Sequence, residues 1–480
     1  MTTRRERTLT LGEAVLPLVT MLVLFVSGIA FLEMDTELLI AAMLSAATVA
    51  GVIAWRHGHT WEDIQKSTGA KLADVLPAVL ILLAIGMLIG TWVMSGTIPF
   101  LVYWGVRLIS PTYLVLTAFL ATAIMSLCTG TSWGSAGTIG VALMGTAAAL
   151  DAPMAATAGA VVSGAYFGDK LSPLSDSTNI SAIGAGAPLY THIRHMLYTA
   201  VPSFVVAIIV YTLAARLMPV AADGLSDRAL ELLSDIDNAY ALNWVVLIPP
   251  AIVIASIVRK VPPPLAMAAS SVVAVVIGIG IQGFSLQDGV VSAVAGFRTT
   301  MLDGAAVWTD AFTTLVERGG LFSMSNTLIV IIAAFLLAGA MDVSGSLDLM
   351  INRMLATVRS IFGLIAATMA AGGAMIALTS HGGVTALVIG GLFQRAYRER
   401  DMAPENLSRS LEDSVTITEP LMPWTVSAVF MAGTLGVATT SYAPWAVFCY
   451  GGPFFSLLLA ATYEKTGFGL TRGGDEERTR

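Results

Sequence analysis

Charge is what this chain has little of. Only 12% of its 480 residues are Asp, Glu, Lys or Arg, against 56% that are hydrophobic. An average soluble domain carries about twice that charge. Cysteine is rarer still, at two residues, and Cys128 and Cys449 both lie in apolar runs. Neither a disulfide framework nor a thiolate metal site can be argued from them. The net charge of −7 excludes an excess of basic residues, so nucleic acid is not an expected partner. No GxxxxGK[ST] segment occurs, which argues against nucleotide-driven work.

What is present is apolar length. Mean hydropathy is +0.79, with 45 Gly and 22 Met. A membrane span needs about 20 apolar residues, and the runs between residues 14 and 463 give about 11 to 14 candidates. The expected fold class is therefore all-α: a polytopic transmembrane helical protein whose partner is a lipid bilayer. The first run lacks a small-residue cleavage site and reads as an anchor. Arg4, Arg5 and Arg7 favour a cytoplasmic N-terminus, and Glu33, Asp35 and Glu37 an outer turn. Residues 60–71 read as an interfacial amphipathic helix or a solvated loop, and the acidic stretch 220–239 as an external connection. Asp342 reads as a helix cap, and Glu317-Arg318 as a turn closed by its own ion pair.

Ser95-Gly96 and Ser344-Gly345 stand 249 residues apart, each after an apolar run. That offset sets Thr131 on Ser380 and Gly134 on Gly383; two residues fewer sets Ser172-Pro173-Leu174 on Glu419-Pro420-Leu421. Paired interruptions in two halves point to a transporter's binding site. The expected division is 1–72 (N-terminal helices and loop), 73–219 (first transport repeat), 220–322 (connecting segment), 323–464 (second repeat) and 465–480 (disordered tail).

The densest polar stretch, GDKLSPLSDSTN at 168–179, follows sixteen residues whose one ionisable group is Tyr166. Charges in such surroundings persist when paired or bound to something. Pro173 breaks the helix and frees carbonyls. Asp169 and Asp176 are candidate carboxylates that hold Na+ and H+ in turn, with Ser172, Thr178 and Asn179 as neutral oxygens. Lys170 is a candidate partner for one of them, and a plain ion-pair brace is the alternative. Thr131 and Ser132, in the GTSWG break, either line the cavity or pack helices. In the second half, Glu419 and Asp413 are candidates to complete the site beside Ser380. Glu412 reads as part of an interfacial charged cluster, and Trp424 as a plug. His381 is either a proton relay, with an ordinary pKa of about 6.5, or a hydrogen-bonded structural group.

The segments GTSWGSAGTIGVALMG (130–145), GAYFGDKLSPLSDSTN (164–179), HIRHMLYT (192–199), ERGGLFSM (317–324), LEDSVTITEPLMPWT (411–425) and MAGTLGV (431–437) resemble the NhaC-type Na+/H+ antiporter family of the ion transporter superfamily. The resemblance spans nearly the whole chain. It implies two inverted repeats with broken helices or re-entrant hairpins, and secondary active transport in which proton entry drives Na+ out. Asp169, Ser172, Asp176, Thr178 and Asn179 match the family's polar motif. Ser177 stands where Thr is common, and Trp424-Thr425 where many members read Trp-Asn. The expectation is Na+(Li+)/H+ antiport by alternating access in the cell inner (plasma) membrane. No substrate chemistry is expected, no cofactor beyond the transported ions, and a homodimer only as the family's habit. The same family includes malate–lactate exchangers and amino-acid carriers, so a Na+- or H+-coupled carboxylate or amino-acid carrier is the alternative.

Overall fold

The computed structural model describes all residues except 1–8, 33–35, 75, 219–226, 260, 303–306, 347–348, 351–352, 354–359, 381 and 474–480. The N-terminal arginines, Glu33, Asp35 and His381 therefore lie outside the described residues. Helices α1 (Leu11–Leu32), α2 (Thr36–Arg56) and α3 (Trp61–Asp74) come first. They are followed by α4 (Leu76–Met94), α5 (Thr97–Leu108), α6 (Leu114–Thr129), α7 (Ser132–Ser135), α8 (Val141–Ala149), α9 (Met154–Leu171), α10 (Asp176–Ala185) and α11 (Leu189–Leu217). Next are α12 (Asp227–Ala239), α13 (Ile248–Val258), α14 (Pro263–Gly280), α15 (Leu286–Val294) and α16 (Asp310–Val316). The last group is α17 (Ser325–Val343), α18 (Ile361–Thr379), α19 (Gly382–Arg398), α20 (Pro404–Leu411), α21 (Val426–Leu435), α22 (Thr439–Tyr442) and α23 (Val447–Thr466). Two π-helical stretches, Ala136–Gly140 and Glu412–Thr416, interrupt the regular winding. One isolated bridge, Met402 to Arg472, is the extent of strand pairing among the described residues.

The chain is an all-helical, polytopic membrane protein. Alongside an apolar core it buries many hydroxyl and charged side chains and leaves large apolar ones exposed on its helices, as expected in lipid. On α11, Val201, Val205, Ile209 and Leu213 form a stripe with four-residue spacing, each about half exposed, while Ser203 and Thr199 are fully enclosed. Among the described residues, seven helices are long and apolar enough to cross a membrane, or up to ten if each of three bent pairs counts as one span. That is fewer than the apolar runs suggested. The difference lies in runs that break: α4 and α5 bend by 72° at Ser95-Gly96, and α21 and α22 by 89° after Gly436.

The order of elements is duplicated. α4 and α17 are both 19 residues long, and the left-handed Gly96 and Gly345 that follow them are 249 apart. Further on the spacing becomes 250. Gly130 and Ser380 both adopt a left-handed conformation to end α6 and α18. The pair Thr129 Oγ1 to Ser135 Oγ (3.3 Å) is mirrored by Thr379 Oγ1 to Thr385 Oγ1 (2.6 Å). α10 and α21 are both ten residues long, capped by Ser175 and Thr425 and ended by left-handed Gly186 and Gly436. Packing follows the same rule: α2 and α3 lie on α17, as α14 and α15 lie on α4.

Small residues let the helices meet. α9 crosses α6 at Gly168, where any Cβ would run into the backbone of Leu127. α10 of one half meets α19 of the other where Gly184 and Gly390 touch backbone to backbone.

Several peripheral expectations narrow or change. For residues 60–71 the helical of the two readings holds, since residues 61–71 belong to helix α3, opened by Thr60 and Asp63 capping each other. Asp342 does not cap its own helix; it accepts from Ser67 (2.8 Å) and pairs with Lys71 (3.4 Å). Glu317 accepts from the Thr299 amide and hydroxyl instead of Arg318, because the turn opens toward that loop. The tail is ordered to Gly473: Asn406 bonds both Thr471 backbone groups, at 2.7 and 3.1 Å, and Leu470 is buried. Residues 474–480 lie outside the described region.

Candidate functional site

The centre is the break between α9 and α10. Pro173 stops α9, and Ser175 opens α10 by accepting from the Thr178 amide. Thr178 donates back to the freed carbonyls of Asp169 (3.0 Å) and Lys170 (3.2 Å). Asn179 donates to the carbonyls of Pro173 and Ser175, and Ser172 accepts from Leu174 N. These groups brace the break. Asp169, 9% exposed, projects from the last turn of α9. Its Oδ2 accepts from Ser132 Oγ (3.0 Å) and lies 3.5 Å from Ser177 Oγ.

A 250-residue step turns this arrangement into its mate. Asp169 maps onto Glu419, Ser132 onto Gly382, and Ser177 onto Ser427. The Glu419 carboxylate lies beside the amides of Gly382 and Ser427 and the Ser427 hydroxyl. These are the starts of α19 and α21, where unsatisfied N–H groups favour an anion. Each acid is thus surrounded by neutral donors at the ends of interrupted helices. The two carboxylates are close enough to feel one another's charge, and the Tyr166 hydroxyl, buried and without a partner, feels both. Trp133 stacks on Phe430 at 4.2 Å and joins the two halves beside them.

The nearby cations are already committed. Lys170, 1% exposed, points away from Asp169 and Asp176 and bonds Asp413 of the other half, with Thr199 3.3 Å away. Thr199 also donates to Asp413 (3.2 Å), and Arg409 Nε lies 4.0 Å from its second oxygen. Arg409, fully buried, donates to the Gly469 carbonyl of the C-terminal segment. Asp413 is therefore a counter-ion for buried cations, not an open ligand.

Other candidates fall elsewhere. Asp176 is exposed at the first turn of α10, outside the enclosed group. Thr131 caps α7 through the Gly134 amide. Ser380 holds the α18 break, its carbonyl accepting from Val426 N (3.2 Å). Trp424 donates to the Ala377 carbonyl and packs on Phe25, fastening that break from outside. Sequence reasoning missed Tyr166, Ser427 and Arg409. It also put Glu412 at an interface, whereas the residue is fully buried. The cap-to-glycine spacing, Ser175 to Gly186 and Thr425 to Gly436, was the signal for the 250-residue register.

The "Na+/H+ antiporter family" matches residues 164–462. An "Uncharacterized Na+/H+ antiporter" of Haemophilus influenzae is 44% identical, covering 98% of this chain and 99% of its own. The "Na+/H+ antiporter NhaC" of Bacillus subtilis is 33% identical over 95% and 98%. The "Malate-2H+/Na+-lactate antiporter" of the same organism is 30% identical over 95% of each. With a match over more than half its length and relatives aligned nearly end to end, the chain belongs to the Na+/H+ antiporter family.

Proposed function

We propose that the protein exchanges Na+ (or Li+) for H+ by alternating access in the plasma (inner) membrane, as a secondary transporter without catalysis of a chemical reaction. The observation that carries this reading is the contrast between Asp169 and Glu419, which have only neutral donors, and Lys170, which is bound to Asp413. A buried carboxylate without a fixed counter-cation is favourable when a proton or a metal ion neutralises it. Asp169 and Glu419 alternate between the two, with Ser132, Ser177, Ser427 and Tyr166 as neutral oxygens. Thr131, Ser172, Thr178, Asn179 and Ser380 keep the interruptions open.

An organic carboxylate would need a free cation near this centre. The commitment of Lys170 favours inorganic exchange over the malate, lactate or amino-acid alternative. Reconstituted vesicles test this. A Na+ or Li+ gradient alone should move protons saturably, and Asp169→Asn should stop it. Silence until malate, lactate or an amino acid is added would overturn the reading in favour of the organic-substrate carrier. The expected homodimer takes no part in this mechanism.

A further inference from the structure

Glu412 has no part in the exchange described above, yet it is 0% exposed, as is Ser181 on α10. One oxygen of the Glu412 carboxylate takes the Thr416 hydroxyl. The other, Oε1, has no hydrogen-bond partner, and neither has Ser181 Oγ. Ser181 is nonetheless one of the groups that act directly on the Glu412 carboxylate. The Ser181 hydroxyl thus approaches the Glu412 carboxylate closely enough to act on it, while neither Ser181 Oγ nor Glu412 Oε1 makes a hydrogen bond of ordinary geometry. An enclosed polar atom left in this state calls for a missing third body.

The surroundings say what that body is. The charged groups facing Glu412 are Lys170 and Asp169, both from α9. Lys170 is bound to Asp413 and is itself faced by His192 of α11 and Cys449 of α23. On Glu412's own segment, Arg409 donates Nη1 to the Gly469 carbonyl and lies 4.0 Å from Asp413; its Nε and Nη2 have no hydrogen-bond partner, but Arg409 is not among the groups that act on Glu412. No protein cation in this set is left for Oε1. The carboxylate sits on a π-helical turn, a distortion that often marks functional positions. That turn touches α10. The 250-residue mates of Glu412 and Ser181 are Val162 and Met431. This pair therefore breaks the two-fold pattern that relates Asp169 to Glu419.

We propose that Glu412 Oε1 and Ser181 Oγ form a second subsite for a small monovalent cation, Na+ or Li+, between α10 of the first half and the Glu412–Thr416 turn of the second. The proposal rests on the antiport reading and places a second ion beside the exchange centre. Equilibrium binding of radioactive Na+ alone to the purified full-length chain tests it. Wild type should bind about two ions per chain, Glu412→Gln about one, and Asp169→Asn should keep the ion at Glu412. Ser181→Ala, which keeps the charge, should weaken one of the two sites by about tenfold. If Glu412→Gln does not fold, Ser181→Ala decides by itself. A wild-type count of about one, or full wild-type affinity in Ser181→Ala, would overturn the proposal and leave the two oxygens to water. Wild-type vesicles with no Na+-driven proton movement would instead sink the antiport reading, a separate outcome.

Discussion

Lys170 and Asp169 are neighbours in sequence with opposite fates. Being consecutive near the end of α9, they point about 100° apart, one toward the broken helices and one toward the other half. Removing the lysine alone leaves Asp413 buried with an incomplete set of partners. Lys170→Met should destabilise the protein by about 3–5 kcal/mol. The double change with Asp413→Leu should recover most of that loss. Thermal unfolding in detergent measures both, and a double variant no more stable than Lys170→Met would contradict the pairing. Asp176 gives the converse prediction. Because it is exposed, Asp176→Asn should keep Na+-driven proton movement at close to the wild-type rate in vesicles where Asp169→Asn has none. Sequence alone could not separate these two aspartates. Both stand in the same polar run, and only the position of Pro173 and Ser175 sends one inward and the other out.

At the scale of the helix, the interruptions were legible and the work of their hydroxyls was not. Pro173 announces the end of α9, and Gly130 the end of α6. Serine and threonine, however, serve equally as caps and as ligands. Thr131, Thr178 and Ser172 are spent on backbone groups, whereas Ser132 is spent on Asp169. Ser175→Ala should cost about 0.5–2 kcal/mol of stability. Because α10 also presents Ser177 to Asp169, the same change should raise the Na+ concentration needed for half-maximal exchange. Unchanged half-saturation would detach the cap from the site. At the start of α3, the Thr60 amide and hydroxyl hold the Asp63 carboxyl below its ordinary value of 3.8. A lowered folded-state pKa means that the contribution is complete above that value and is lost as pH falls below it. The protection factor of the amides at the start of α3, taken relative to intrinsic exchange at each pH, should therefore fall on acidification below about pH 4, and an Asp63→Asn variant should show no such step.

At the scale of the molecule, duplication was readable from Ser95-Gly96 and Ser344-Gly345 because a left-handed residue after a helix has few substitutes. The later register was not. A one-residue change in spacing lies between Gly96 and Gly130, in sequence too apolar to mark it, and the Pro173–Pro420 match pulled the alignment astray. The caps place Asp169 opposite Glu419 instead. If the two are mates, their lengths should be exchangeable together. Asp169→Glu or Glu419→Asp alone should slow transport, and the reciprocal double variant should exceed the slower single one; a double variant slower than both would refute the equivalence. The C-terminal segment has a practical consequence. Gly469 supplies the carbonyl that receives Arg409, and Arg409 neighbours the ion pair spanning the two halves. A protease cut just after Thr466 would spare every hydrophobic helix and still strip a buried guanidinium of its acceptor. Affinity tags and fluorescent fusions are therefore best joined beyond Gly473, where they leave that clasp fastened.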